Sequence, residues 1–140
     1  MIDELKNIEY VLFDLDGTVS DSSEGITKSA DKALKSEGID VPFETLTSFI
    51  GPALRVSFGR YTDDVEKRDR MLDVYRERYS EKGWYENKIY PGMAELLRDL
   101  QKSGKHVVLA SAKPEYFCRK IIKYFGVEQY FDFIGGSDMK

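Results

Sequence analysis

Two carboxylates stand two residues apart, at Asp14 and Asp16, directly after a short apolar run. The run, residues 10–13, is rich in aromatic and β-branched side chains, which predicts a strand buried on both faces. Side chains at i and i+2 of an extended segment point the same way, so both carboxylates can face one pocket. Converging carboxylates repel unless a cation or a shared proton relieves them, and Mg²⁺ prefers such oxygen ligands. Gly17 permits a sharp turn, and Thr18 adds a hydroxyl.

Asp-x-Asp pairs also occur in ordinary turns with solvated carboxylates and in calcium-binding loops. A calcium loop is disfavoured because Gly17 comes too early and the glutamate that ends such a loop is missing. The whole segment Asp14–Thr18, placed directly after a predicted strand, favours a reactive site over a solvated turn.

A second reactive pair, Ser111 and Lys113, follows the apolar run 107–110. A serine hydroxyl and a lysine ammonium suit a phosphoryl group, because the first donates a hydrogen bond and the second neutralises charge. Ser111 by itself is equally consistent with simple capping of a strand end.

The order of predicted elements is strand, helical block, helix, strand, helix, strand. Strands separated by helices predict an α/β fold with a parallel, Rossmann-like sheet, and the third strand is expected at residues 131–134. Ligands of such sheets bind beyond the carboxyl ends of the strands, where both reactive pairs are predicted to lie. The helical block is too long for one crossover helix. We therefore expect a core of residues 1–20 and 88–140 with an inserted all-helical domain, residues 21–87.

Helical periodicity and breaker residues divide the remaining chain. The first helix of the block is expected to end at Gly38, a second segment to open at Pro42, and Asp63 or Asp64 to cap a long third helix. Apolar residues are expected to share one helix face at Ile26, Ala30, Ala33 and Leu34; at Val65, Leu72, Tyr75 and Tyr79; and at Met93, Leu96, Leu97 and Leu100. The last helix is expected to bury Phe117, Ile121, Ile122 and Phe125.

Composition excludes several classes of function. The chain has 140 residues with 25 acidic and 21 basic side chains, a net charge of −4, which disfavours binding to nucleic-acid phosphates. No apolar run approaches the ~18 residues that would span a membrane. The first seven residues lack the features of a signal peptide, and Cys118 is the only cysteine. These features favour a cytoplasmic protein with no membrane or nucleic-acid partner.

Four other conspicuous side chains are interpreted as structural. His106 precedes a predicted strand, away from its carboxyl end, and Cys118 lies among apolar helix residues as a buried thiol. Trp84 and Tyr85 are interpreted as packing or hinge residues near the end of the helical block, rather than as a stack for a ligand.

The segment Phe13–Thr18 resembles the first motif of the haloacid dehalogenase superfamily of aspartate-nucleophile phosphatases. Ser111 stands where the second motif has its serine or threonine, and Lys113-Pro114 is similar to phosphoglycolate-phosphatase-like members. The helical block resembles the cap domain of that branch, the segment 50–55 a cap loop that faces the active site, and Tyr90-Pro91-Gly92 the return to the core. The resemblance runs from about residue 8 to the end.

The resemblance implies a phosphatase in which Asp14 attacks phosphorus and Asp16 serves as general acid and base. Mg²⁺ would be held by Asp14 and by the carbonyl of Asp16. Residues implied in binding the substrate or its phosphate are Gly17, Thr18, Ser111, Lys113 and, from the cap, Arg55. The substrate would be a small phosphorylated metabolite, such as phosphoglycolate or a nucleoside 5′-monophosphate. Dehalogenating relatives do not carry an aspartate at the position of Asp16, so haloacid substrates are disfavoured.

The third motif of that superfamily, a lysine, and the fourth, a pair of acidic metal ligands, are expected beyond residue 140; Lys140 is not assigned to the third motif. We therefore expect a core sheet that is incomplete, with a strand 10–13 that has one unpaired edge and invites self-association. Alternatives are a catalytically incomplete fragment with weak Mg²⁺ affinity, and a sugar-phosphate mutase of the same superfamily.

Overall fold

The computed structural model describes residues 3–138, so Lys140 lies outside the described residues. Contacts divide the chain into two compact units. The first unit comprises the residues up to Ser20 together with those from Ile89 onward, and the second unit comprises Asp21–Lys88. The strands are β1 (Tyr10–Phe13), β2 (Ser20–Asp21), β3 (Lys88–Ile89), β4 (His106–Pro114) and β5 (Phe133–Ser137). The α-helices are α1 (Ser23–Ser36), α2 (Leu54–Gly59), α3 (Val65–Arg78), α4 (Met93–Lys102) and α5 (Glu115–Tyr124). Short 3₁₀-helices cover Asp3–Leu5, Phe43–Phe49 and Glu128–Tyr130, and a π-helix covers Tyr79–Gly83.

The first unit contains a three-stranded parallel sheet in the order β1-β4-β5, which confirms the predicted α/β fold. Leu12 pairs with Val108, and Val108 pairs with Phe133. Two predicted strand boundaries are wrong. β4 continues beyond Ala110 to Pro114, because a register shift in this stretch lets Pro114 pair again, with Ser137. β5 begins at Phe133 rather than at residue 131, because the preceding 3₁₀-helix still holds the N–H of residue 131.

The sheet buries one face, and the prediction that β1 is covered on both faces is wrong. Val107, Leu109 and Ile134 are almost wholly buried, and β4 and β5 contact α5 on the side where these residues lie. On the opposite side, Tyr10 is 58% and Leu12 65% exposed. The apolar side chains of Tyr10 and Leu12 thus lie on a face of the sheet that has no covering layer within the described residues.

Helices and turns occupy the second unit from Ser22 to Asn87, where every residue is described and none lies in a strand. The predicted stripe of α1 is buried, and the chain turns after α1 at Gly38, whose φ is +73°. Asp64 caps α3, since its Oδ1 accepts hydrogen bonds from the N–H groups of residues 66 and 67 at 3.0 and 3.3 Å. Val65 is 54% exposed, against expectation, because it lies in the first turn of α3 rather than on the packed face.

α1 and the π-helix approach so closely that two glycines are required. A Cβ on Gly25 would overlap the carbonyl oxygen of Gly83, and a Cβ on Gly83 would lie 2.6 Å from the Tyr79 ring. The N–H of Gly25 also donates to the carbonyl of Glu86 at 3.1 Å. This contact fixes the last segment of the second unit against the beginning of its first helix.

We expect Gly25→Ala to lower the free energy of unfolding by about 1–3 kcal/mol, because the new methyl group meets backbone that cannot move without displacing the π-helix. Gly59→Ala is the matched control, since its Cβ would lie 3.6 Å from an Arg68 nitrogen, an ordinary contact. The control should change stability by less than about 1 kcal/mol. Urea unfolding followed by circular dichroism measures both, and equal stabilities of the two variants would contradict the close contact.

Candidate active site

Asp14 follows the last residue of β1, and its carboxylate is exposed. Oδ1 accepts a hydrogen bond from the N–H of Leu15 at 2.8 Å, and Leu15 itself is fully buried. The carbonyl of Leu15 then accepts from the N–H groups of residues 18, 19 and 20, and Gly17 has φ of +78°. The expectation of an extended segment from Asp14 to Asp16 is therefore wrong, because these bonds close the chain into a turn.

Asp16 contacts a lysine from the neighbouring strand. Lys113 Nζ lies 3.2 Å from Asp16 Oδ2, and the two side chains are only 8% and 15% exposed. The other carboxylate oxygen, Oδ1, is buried and has no hydrogen-bond partner among the described residues. One oxygen of Asp16 is thus neutralised by the ammonium, and the other is left for a ligand or a proton.

Ser111 and Lys113 lie within β4, in the stretch where its pairing with β5 shifts register, rather than after the strand end as predicted. Ser111 Oγ accepts a hydrogen bond from the N–H of Lys113 at 3.2 Å. The Ser111 side chain also hydrogen-bonds to the thiol of Cys118.

Cys118 on α5 lies behind these groups, a neighbour that sequence analysis missed. Its thiol donates to the carbonyl of Lys113 at 3.5 Å. Burial raises the pKa of the thiol to about 11; Lys113 and Ser111 act to lower this pKa, whereas Asp16 and Asp14 act to raise it. Since Phe13 pairs with Leu109 and Lys113 contacts Asp16, the four predicted side chains lie together at the carboxyl-terminal parts of β1 and β4. The available signal was Pro114, which starts α5 at the strand end and so places residue 118 near it.

The other predicted binding residues differ in their surroundings. Gly17 and Thr18 lie in the exposed turn, where their N–H groups bond to the carbonyls of Ser20 and Leu15. Arg55 lies in the second unit, where its Nη1 is 2.7 Å from Asp69 Oδ1 at an exposed position. The roles of these three residues remain predictions.

Divalent-metal binding is compatible with the donor set. Within residues 3–138, no group of three or more His, Cys, Asp or Glu side chains is arranged to hold a metal ion. Mg²⁺ is commonly bound by one or two carboxylates together with substrate phosphate and water, so it does not require such a group. The exposed carboxylate of Asp14 fits that requirement.

A family model for haloacid dehalogenase-like hydrolases matches residues 11–140. The chain belongs to this family. A 5′-nucleotidase of Pseudomonas aeruginosa is 40% identical over 92% of the chain and 59% of its own length. A phosphoglycolate phosphatase of Aquifex aeolicus is 32% identical over 94% of the chain and 62% of its own length. The structure of a haloacid dehalogenase-like family hydrolase from Streptococcus pneumoniae matches with a TM-score of 0.88 at 31% identity, over 94% of this chain and 62% of that one.

These similarities confirm the family resemblance and the Rossmann-like fold inferred from sequence. This haloacid dehalogenase-like chain spans about 60% of the length of the relatives it matches. No helix within residues 3–138 is both long and apolar enough to cross a bilayer.

We expect Lys113→Met to lower the free energy of unfolding by about 1–3 kcal/mol, because it leaves a largely buried carboxylate without its cation. Combining it with Asp16→Asn should cost less than the sum of the two single changes. The exposed pair Arg119–Glu115, with its charged atoms 3.1 Å apart, is the control and should show a coupling of at most about 1 kcal/mol. Additive effects of Lys113→Met and Asp16→Asn would contradict the contact.

A raised thiol pKa also predicts a pH dependence of stability. The pKa of Cys118 is raised from 9.0 to about 11 in the native state, so the unfolded chain loses the proton first. The thiol's contribution is therefore complete below about pH 9 and is lost as the pH rises toward about 11, by about 2 kcal/mol. Urea unfolding measures the stability of the wild type and of Cys118→Ala across this pH range. The 9 tyrosines titrate in both proteins, so the difference between the two stabilities reports the thiol alone. A pH-independent stability difference between the two proteins would contradict the burial.

Proposed function

We propose that this chain carries the nucleophile, the acid–base group and the phosphate-binding groups of a Mg²⁺-dependent phosphate-monoester hydrolase. The supporting observation is the contact of Asp16 with Lys113 at 3.2 Å, at the level where Asp14 follows β1 and Ser111 bonds to Lys113 in β4. Such a set can attack, protonate and hold a phosphoryl group.

In the proposed reaction, an oxygen of Asp14 attacks phosphorus and the bond from phosphorus to the leaving alkoxide oxygen breaks. Asp16 gives its proton to that oxygen, so the product leaves as an alcohol and an aspartyl phosphate remains on Asp14. Water then attacks phosphorus, Asp16 takes the proton, and the Asp14 carboxylate is released with inorganic phosphate. Exposure suits Asp14 to its role, and the unpartnered Oδ1 suits Asp16 to proton transfer.

The remaining groups would bind the phosphoryl oxygens. Ser111 would donate a hydrogen bond from its hydroxyl, and Lys113 supplies positive charge beside Asp16. Thr18 would act through its hydroxyl, since its N–H is used in the turn, and Gly17 would admit the phosphate close to the backbone. Asp14 and the carbonyl of Asp16 would hold Mg²⁺, which when bound offsets the repulsion between carboxylate and phosphate.

The second unit is proposed as a cap that excludes water and reads the leaving group, with Arg55 as its candidate substrate contact. The relatives' names, phosphoglycolate phosphatase and 5′-nucleotidase, support small phosphorylated metabolites as substrates. The single free cysteine supports action in the cytoplasm. Because the chain spans only about 60% of these relatives, a catalytically incomplete fragment stays an alternative, as does a sugar-phosphate mutase.

We expect Asp14→Asn to retain less than a tenth of the wild-type rate of phosphate release, because an amide cannot act as the anionic nucleophile. The assay is Mg²⁺-dependent hydrolysis of an aryl phosphate, and Asp63→Asn, an exposed carboxylate of the second unit, is the control. Equal activity in Asp14→Asn and Asp63→Asn would overturn the assignment.

Assays separate the alternatives. An incomplete fragment binds Mg²⁺ weakly and stays far below about 1 turnover per second. A mutase interconverts glucose-phosphate isomers faster than it releases phosphate.

A further inference from the structure

The backbone of Lys113 is held at both ends by neighbouring side chains. Its N–H donates to Ser111 Oγ at 3.2 Å, and its carbonyl accepts from the Cys118 thiol at 3.5 Å. The Ser111 side chain hydrogen-bonds in turn to the same thiol. Because the thiol hydrogen is used on the carbonyl, the sulfur accepts this third bond and the serine hydroxyl donates it. We call these three bonds the Lys113 ring, since they begin at the N–H of Lys113 and end at its carbonyl.

Two elements of the first unit pack around the Lys113 ring. A Cβ on Gly136 would lie 2.5 Å from the carbonyl oxygen of Lys113, so β5 packs directly against this peptide. On the other element, Cys118 is fully buried, and its helix α5 contacts both β4 and β5. A thiol is a weak donor, but a buried hydrogen bond gains strength from the low local dielectric.

The Lys113 ring fixes the direction in which the Lys113 side chain leaves the backbone. That side chain reaches Asp16, where Nζ lies 3.2 Å from Oδ2, and it is only 8% exposed. A lysine side chain loses much conformational entropy when it is confined to one geometry. A backbone that is already fixed reduces the part of this cost that the ion pair must offset.

We propose that Cys118 is a positioning residue, whose thiol holds the Lys113 peptide so that the ammonium stays beside Asp16. This inference rests on the proposed function, in which Lys113 binds the phosphoryl group and Asp16 transfers the proton. When a phosphoryl oxygen accepts the hydroxyl hydrogen of Ser111, the bonds made by the Lys113 N–H and by the thiol are retained. Lys113 therefore keeps its place in the occupied site. The thiol acts here as a hydrogen-bond donor and takes no part in covalent chemistry.

The test is the coupling between Lys113 and Asp16 in the 140-residue chain, measured by urea unfolding of Lys113→Met, Asp16→Asn and the double variant. The coupling factor is the factor by which the unfolding constant of the double variant departs from the product of the two single effects. We expect Cys118→Ala to reduce this factor at least about fivefold. Ile122→Val is the matched control, since Ile122 is also fully buried on α5 but lies one turn further along the helix. It should change the factor less than about twofold, although it also weakens the packing of α5.

Cys118→Ser separates the hydrogen bonds from the volume of the side chain. Serine is close to alanine in size but retains a donor and an acceptor. We therefore expect this variant to keep most of the coupling that Cys118→Ala loses. Equal coupling factors in the two variants would overturn the proposal, because the donor would then have no effect. An unchanged factor in Cys118→Ala, or an equal reduction in Ile122→Val, would overturn it as well.

Phosphate release distinguishes a failure of this inference from a failure of the proposed function. The wild type and Asp14→Asn are assayed with an aryl phosphate and Mg²⁺ beside the unfolding measurements. A coupling factor that depends on Cys118, in a chain whose phosphate release does not depend on Asp14, would refute the proposed function and support the positioning role. Phosphate release that depends on Asp14, with a coupling factor that does not depend on Cys118, would refute the positioning role alone.

Discussion

The parallel register between β1 and β4 determines where every reactive side chain of the first unit lies. Phe13 pairs with Leu109, so the two strands reach their carboxyl ends at the same level. Asp14 is one residue beyond that pair and Ser111 two residues beyond it. A slip of one residue would turn the buried side chains of β4 to the open side and separate the carboxylates from the serine and lysine. Packing of Val107 and Leu109 therefore also fixes the geometry of the site.

The negative charges of Asp14 and Asp16 are offset in different ways. Asp14 is exposed, so solvent can screen its negative charge. Asp16 is more buried, and its charge is offset by Lys113, whose Nζ lies 3.2 Å from Asp16 Oδ2. Lys113 makes this contact from the stretch of β4 in which the pairing with β5 shifts register. The two carboxylates consequently have different surroundings, and different surroundings are what distinguish a nucleophile from an acid–base group.

Sequence patterns predicted the elements that depend on local chemistry. The apolar runs located β1 and β4, and Gly38, Pro42, Asp64 and Pro114 marked the helix boundaries. Features that depend on distant partners were not predictable. The extension of β4 through Ser111 and Lys113 requires knowledge of its pairing with β5, and the exposure of Leu12 requires knowledge of what does not cover it. The position of Cys118 behind the site follows from packing of α5, which periodicity identifies as buried without naming the neighbours.

The long separation between β1 and β4 has a consequence for how the protein folds as it is synthesised. Tyr10 of β1 cannot pair until His106 of β4 has been synthesised, whereas the second unit, Asp21–Lys88, is complete earlier in the chain. Domains that finish first on the ribosome fold first, so the helices precede the sheet. β2 and β3 pair at the two ends of that segment, so its folding brings the flanking strands together. The chain that must then close between β1 and β4 is reduced to residues 14–19 and 90–105, which lowers the entropy cost of forming the sheet.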